Sequence, residues 1–277
     1  MRRFLTVVLA ISAALALATG CDSGKSSQNG AQAPSVPSSS PTVPPTSPGS
    51  SSPTPSASAS SSASPTPSTS TSPAAPQKLK VGTKGATVLA LQQRLTALGY
   101  WNGKADGKFG GTTQQAVFAL QKAAGLGRDG VVGPKTQKAL DRGVRPTPKS
   151  TAGSGHLIEI NLAKQLLMIV DNGRVTTILN TSTGSNQHYE YQNQTHLADT
   201  PSGHFRVGRQ IDGWRHGPLG PLWRPKYFNG GIAVHGAPSV PPYPASHGCA
   251  RVSVSAMNWI WSADKIPLNT KVWVYRA

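Results

Sequence analysis

Apolar and polar positions follow three successive regimes along the chain. From residue 79 to 142 apolar residues recur at helical spacing: Val88, Leu91, Leu95 and Leu98 share one face, and Gly99 ends the run. Asp106-Gly107-Lys108-Phe109-Gly110, then Thr113, Ala116 and Val117, is echoed 23 residues later by Asp129-Gly130-Val131-Val132-Gly133, then Thr136, Ala139 and Leu140. Each copy reads as a glycine turn feeding a helix. Thr112 with Gln115 predicts a capping box, and Pro134 suits the first turn of the next helix. The sum predicts a three-helix α bundle, with Trp101 an exposed aromatic candidate in the loop Tyr100–Lys108.

After a linker at 143–154 the period changes to two. HLIEINL, QLLMIVDNGRVTTILNTST, HFRVGR, GGIAVHG and TKVWVYR read as strands, and Asn172-Gly173 between two such runs predicts a hairpin turn. Helical spacing is scarce here and clearest over Ser255–Ala263. Residues 155–277 therefore predict a mainly β sandwich or open barrel with one or two short helices.

The third regime has almost no apolar periodicity. Residues 22–77 are mostly Ser, Pro, Thr and Ala, a composition that cannot bury a core and predicts a disordered linker. As polyproline II it could reach about 170 Å, as a coil about 45 Å. Before it, Arg2 and Arg3 precede an apolar run from Phe4 to Ala18, the layout of a secretory leader and too short for a comfortable membrane span. Leu17-Ala18-Thr19-Gly20-Cys21 resembles a bacterial lipoprotein processing site, with the leucine one place further back than is usual. The resemblance implies lipidation of Cys21 and an outer-face membrane anchor in the cell envelope; the alternative is a secreted protein.

The net charge of +17 divides as +3 before residue 79, +7 over 79–142 and +7 over 143–277, so no single tail carries it. No basic helix, zinc finger or aromatic RNA-binding strand accompanies it to support nucleic acid; an anionic surface fits the charge equally well, and the export leader favours the cell envelope.

Cys249 is one of two cysteines, and if Cys21 is lipidated it has no disulfide partner. An unpaired thiol in an exported chain suggests wanted reactivity. It lies in Ser246-His247-Gly248-Cys249-Ala250-Arg251, with His235-Gly236 upstream. A thiol with a pKa of about 8.5 gains nucleophilicity when an imidazole takes its proton and stays beside the thiolate as a cation. Gly248 allows a tight turn presenting amide N–H groups to an oxyanion. His247 and His235 are equally eligible as the base on these grounds. Zinc held by His235, His247 and Cys249, with His216 or Asp212, is a competing use of the same residues, but metal-ligand spacing is absent. A buried inert cysteine is another. The polar, aromatic-bearing stretch Ser185–Asp199 is a candidate lid, with Tyr189 and Tyr191 to touch substrate.

Two resemblances sharpen this reading. VGTKGATVLALQQRLTALGYWNGKADGKFGGTTQQAVFALQ resembles the peptidoglycan-binding type 1 domain, which implies docking on the cell wall for residues 79–142. Residues 156–276 resemble the L,D-transpeptidase (YkuD-like) catalytic domain through His235-Gly236, a spacer, and Ser246-His247-Gly248-Cys249. TPSGHFRVGR and NGGIAVHG match its flanking strands. The spacer is shorter than in many members, and Arg251 stands where some have asparagine. The resemblance implies Cys249 as nucleophile, His235 as general base and acid, and the Gly236 carbonyl as orienter of the ring. It further implies that Ser246 and His247 support the loop, that Gly248 and Cys249 amides form an oxyanion hole, and that Arg251 contacts a substrate carboxylate or the developing negative charge. The implied partners are peptidoglycan stem peptides and the glycan wall, with no cofactor or metal, and with carbapenem β-lactams as thiol-acylating inhibitors. The implied reaction joins stems by 3→3 cross-links; a carboxypeptidase using water, or a non-catalytic wall anchor, are the alternatives.

Overall fold

The computed structural model describes residues 78–277; the leader, Cys21 and the Ser/Pro/Thr-rich stretch lie outside the described residues. The helical spacing produces α1 (Ala86–Ala97), α2 (Gly111–Ala123) and α3 (Pro134–Asp141). Val88, Leu91, Leu95 and Leu98 are buried together with Ala116, Val117, Ala139 and Leu140. Pro134 stands in the first turn of α3, where its missing N–H costs nothing. The expected capping box does not form. Helix α2 starts two residues earlier, with Gly110 in place of Thr112 at the N-cap and without a side-chain cap, which leaves Thr112 inside the helix and Gln115 reaching elsewhere.

The internal repeat has a physical basis that neither copy announces by itself. In the first copy, Gln92 Nε2 donates to Asp106 Oδ1, Lys108 O and Thr113 Oγ1, each at 3.0 Å, and its Oε1 accepts from the Asp106 and Gly107 amides. In the second, Gln121 Nε2 donates to Asp129 Oδ1, Val131 O and Thr136 Oγ1, and its Oε1 accepts from the Gly130 amide. Each buried glutamine amide thus ties a helix to its Asp-Gly turn and to the next helix, with its polar groups paired.

The β part comprises β1 (His156–Asn161), β2 (Leu166–Asp171), β3 (Arg174–Asn180), β4 (His188–Tyr191), β5 (Gln194–Leu197), β6 (Gly203–Arg206), β7 (Arg209–Gln210), β8 (Trp214–Gly217), β9 (Gly220–Asn229), β10 (Ile232–Ala237), β11 (Ala250–Ser253) and β12 (Lys271–Tyr275), with α4 (Val254–Ser262) between the last two. One sheet runs β3-β2-β1-β12-β6, with β1 and β12 parallel and the rest antiparallel. A second runs β11-β10-β9-β7, with β8 on β9; here β10 and β11 are the parallel pair. Asn172 and Gly173 turn β2 into β3 with φ of 49° and 73°, the left-handed pair that a two-residue hairpin demands.

The first sheet is buried on both faces, which explains why LLMIV in β2 is continuously apolar instead of alternating. Leu166, Met168, Val170 and Ile178 face the helices and share their core. Ile158, Ile160, Leu167, Ile169, Val272 and Val274 face the second sheet and pack with Val234, Val252 and the α4 residues Ala256, Met257 and Ile260. Helices, first sheet and second sheet with α4 are therefore stacked layers of one compact unit. Trp101 is not an exposed wall contact: its ring lies 5.8 Å from that of Trp259, packed against the β core, while Tyr100 is buried and donates to Val144 O at 2.8 Å.

Candidate active site

Cys249 sits at the entry to β11, beside β10. The parallel register sets Val234 against Ala250 and His235 against Arg251. Residues two apart on a strand share a face, so Cys249, Arg251 and His235 project to the same side, with the ring diagonal to the sulfur. His235 is almost fully buried, and its Nδ1 lies 2.9 Å from Gly236 O. That carbonyl can only accept, so it fixes the proton on Nδ1 and leaves Nε2 as the basic nitrogen. Gly236 has a second reason to be glycine: a Cβ there would lie 2.8 Å from Trp223 Cδ1 and 3.0 Å from Met257 Cβ.

The turn into Cys249 is held from inside. Ser246 Oγ donates to Cys249 O at 2.6 Å and accepts from the Gly248 amide at 3.0 Å. Gly248 has φ of +140°, and a Cβ would meet Asp199 O at 2.7 Å, so no other residue fits. The Gly248 amide is thereby spent on Ser246; of the two amides the sequence nominated for an oxyanion, that of Cys249 is left. The sulfur approaches the Ala233 amide at 3.4 Å and Gly231 O at 3.8 Å; among the described residues no hydrogen bond joins it to His235. His247 is exposed and turns the other way, edge-on to Tyr189 at 4.7 Å between ring centroids. Of the two histidines, His235 is the buried one on the face of Cys249, and His247 points to the hairpin.

The predicted lid is a β hairpin, β4–β5, closer to regular structure than its sequence suggested. Tyr189 touches the Cys249 turn through His247 and also stacks on His196 at 5.5 Å. Tyr191 is not brought to the site; its aromatic neighbour is His196, at 6.0 Å. Among the described residues no three His, Cys, Asp or Glu side chains gather as a metal would need, and Asp212 lies 2.7 Å from Arg224 Nε.

Comparison with known proteins places these elements. Residues 84–140 match the family of peptidoglycan binding domains, and residues 155–274 match the L,D-transpeptidase catalytic domain. The crystal structure of the L,D-transpeptidase from Xylanimonas cellulosilytica is 55% identical, covers 74% of this chain and all of its own, and superposes with a TM-score of 0.70. This chain belongs to the L,D-transpeptidase family. Shorter similarities join it to other wall enzymes. The N-acetylmuramoyl-L-alanine amidase CwlL of Bacillus licheniformis is 53% identical over 64 residues, 22% of this chain and 18% of the amidase. The spore cortex-lytic enzyme of Bacillus subtilis is 45% identical over 65 residues, 23% of this chain and 21% of that enzyme. The chain thus spans about a fifth of the length of these two curated relatives.

The electrostatics of this L,D-transpeptidase differ from the thiolate–imidazolium pair expected from sequence. Burial lowers the His235 pKa to about 4; the Gly236 carbonyl pulls it up and the Arg251 charge pushes it further down. Burial pushes the Cys249 thiol up, opposed by the Ala233 amide and by Arg251. Both groups rest neutral near pH 7. The half-buried Arg251 guanidinium makes no hydrogen bond or ion pair among the described residues, so its charge is directed at this face of the sheet.

Several residues that build the site carry no catalytic signature in sequence. Thr200 Oγ1 donates to Gly248 O at 2.6 Å and accepts from the Gly184 amide at 2.9 Å. Residues 182–185 line the turn: Thr183 O accepts from the Ala245 and Ser246 amides, and Ser182 exchanges two backbone bonds with Arg251. Thr200 was visible only as part of TPSG.

Proposed function

We propose that this protein forms 3→3 cross-links in peptidoglycan through a Cys249 thioester. The observation that carries the reading is the shared face of Cys249, His235 and Arg251, with His235 oriented by the Gly236 carbonyl. Neutral His235 Nε2 takes the thiol proton as Sγ attacks the carbonyl between the diamino acid and D-Ala of a stem tetrapeptide. The oxyanion is met by the Cys249 amide and the Arg251 charge. The C–N bond breaks, His235 returns its proton to the departing D-Ala amine, and the acyl group stays on Sγ. The side-chain amine of a second stem then attacks the thioester and loses its proton to His235. The C–S bond breaks, and the proton returns to the thiol. Sγ must first swing from Gly231 O toward the ring, a tightening that resting sites commonly await substrate to make.

The remaining expectations complete the reading. Arg251 receives a stem carboxylate and Tyr189 covers the bound peptide. The helical module, residues 79–142, docks on the wall. A leader directs export, lipid on Cys21 holds the chain at the outer face of the cytoplasmic membrane, and residues 22–77 provide the reach. Carbapenems acylate the same thiol. Water in place of the second amine gives carboxypeptidase activity. Mass spectrometry of the purified chain with a disaccharide-tetrapeptide tests the proposal. A Cys249 adduct and a cross-linked dimer are expected; hydrolysed tripeptide alone would select the carboxypeptidase, and no adduct at all would refute the thioester.

A further inference from the structure

The segment between the strand of His235 and the turn of Cys249 cannot hold itself in place. It reads Pro238-Ser239-Val240-Pro241-Pro242-Tyr243-Pro244-Ala245, and each of its four prolines lacks an N–H. Its carbonyls need donors from outside, and two of them find these on the helical module. Gln115 Nε2, from α2, donates to Val240 O at 3.1 Å. Arg128 Nη1, between α2 and α3, donates to Pro242 O at 3.0 Å. Ser182 Oγ holds Tyr243 O at 2.8 Å, and two residues later the Ala245 and Ser246 amides reach Thr183 O. The braces are themselves fixed. Gln115 Oε1 accepts from Asn180 Nδ2 at 2.5 Å, and Asn180 Oδ1 accepts from Lys122 Nζ. Lys122 is buried and also donates to Gln165 O at 2.8 Å and Thr181 O at 3.0 Å.

We propose that Gln115 and Arg128, side chains of the wall-docking module, are positioning residues for Cys249: they pin the proline-rich segment that sets Ser246 and so the nucleophile turn. This rests on Cys249 being the nucleophile. The helical module is then part of the catalytic unit, and not only its anchor. Because the same segment joins the strand of the base to the turn of the nucleophile, loosening it changes the separation of His235 and Cys249. A small misplacement of reacting groups is enough to cost two orders of magnitude in rate.

Both side chains are half-buried at the module's edge, so their truncation leaves its core intact. In the full chain, Gln115→Ala with Arg128→Ala is expected to lower kcat on a soluble stem tetrapeptide at least tenfold. KM should stay within twofold, and sedimentation with insoluble wall should be unchanged. Amide hydrogen exchange at Ala245 and Ser246 should quicken in the same variant, a readout that holds even if the chain turns over no stem peptide. Arg128→Lys keeps a donor within reach of Pro242 O and should recover most of the rate lost in Arg128→Ala. A kcat within twofold of the parent, unchanged exchange at Ala245 and Ser246, or an Arg128→Lys as slow as Arg128→Ala would each overturn the proposal.

Discussion

The glutamine centres of the helical module and the Cys249 turn both bury polar groups around glycine, and they do it to opposite ends. Gln92 and Gln121 each find three acceptors for one amide nitrogen, and their carbonyls are taken as well. Around Cys249 the scaffold atoms are equally well paired: Ser246 Oγ, Thr200 Oγ1 and the Gly248 amide all have partners. The atoms proposed to react are not. The sulfur has only weak contacts, Arg251 has no counter-charge among the described residues, and His235 uses one nitrogen. Saturated polar burial gives rigidity, whereas polar burial left short of partners is stored reactivity.

That contrast can be broken at either centre. Cys249→Ala should remove turnover completely, as release of D-Ala from tetrapeptide will show, while sedimentation with wall stays at the parent level. Gly248→Ala inserts a Cβ 2.7 Å from Asp199 O in a conformation that other residues rarely adopt. A loss of more than about 100-fold in kcat is expected for a misplacement near an ångström. In the helical module, Gln121→Leu leaves Asp129, Thr136 and the Gly130 amide without their shared partner. It should cost about 2–4 kcal/mol in chemical denaturation without moving the thiol's reactivity profile.

The smaller effects concern protons. Because His235 titrates near 4, the acid limb of kcat/KM should lie there, well below the ordinary imidazole range. The same depression acts on stability. The unfolded chain takes up the proton first as pH falls, so the contribution is full above about pH 6.5 and is lost on the way to about 4. It amounts to roughly 3 kcal/mol by linkage. Arg251→Ala removes a nearby positive charge and should move the acid limb upward, by a fraction of a unit to about one unit.

The sequence revealed the repeated turns, the Asn172-Gly173 hairpin and the cysteine–histidine set, because each rests on local chemistry. What it concealed was non-local. Gln92 and Gln121 look like ordinary helix residues until the turns fold back on them. Strand β9 is interrupted by Pro221 and Pro225, which erase its pattern, yet it forms the middle of the second sheet. The β4–β5 hairpin is largely exposed and so lacks an apolar stripe to mark it. Trp101 read as exposed because nothing in a helical module predicts a β domain lying against it. The resting charge state of Cys249 and His235 is not legible in sequence for a related reason: burial depends on the whole fold, and here it is the largest influence on both groups.

Lys122 carries one further consequence. Its nitrogen is hydrogen-bonded to three oxygens contributed by the β layer, and burial there lowers its pKa to about 6, so the amine has no role in the helices taken alone. Transplanting those helices onto another enzyme would leave this amine without its acceptors, and exchanging them for a foreign wall-docking cassette would strand three oxygens. Shuffling these two parts across proteins therefore requires rewriting both sides of the seam at once.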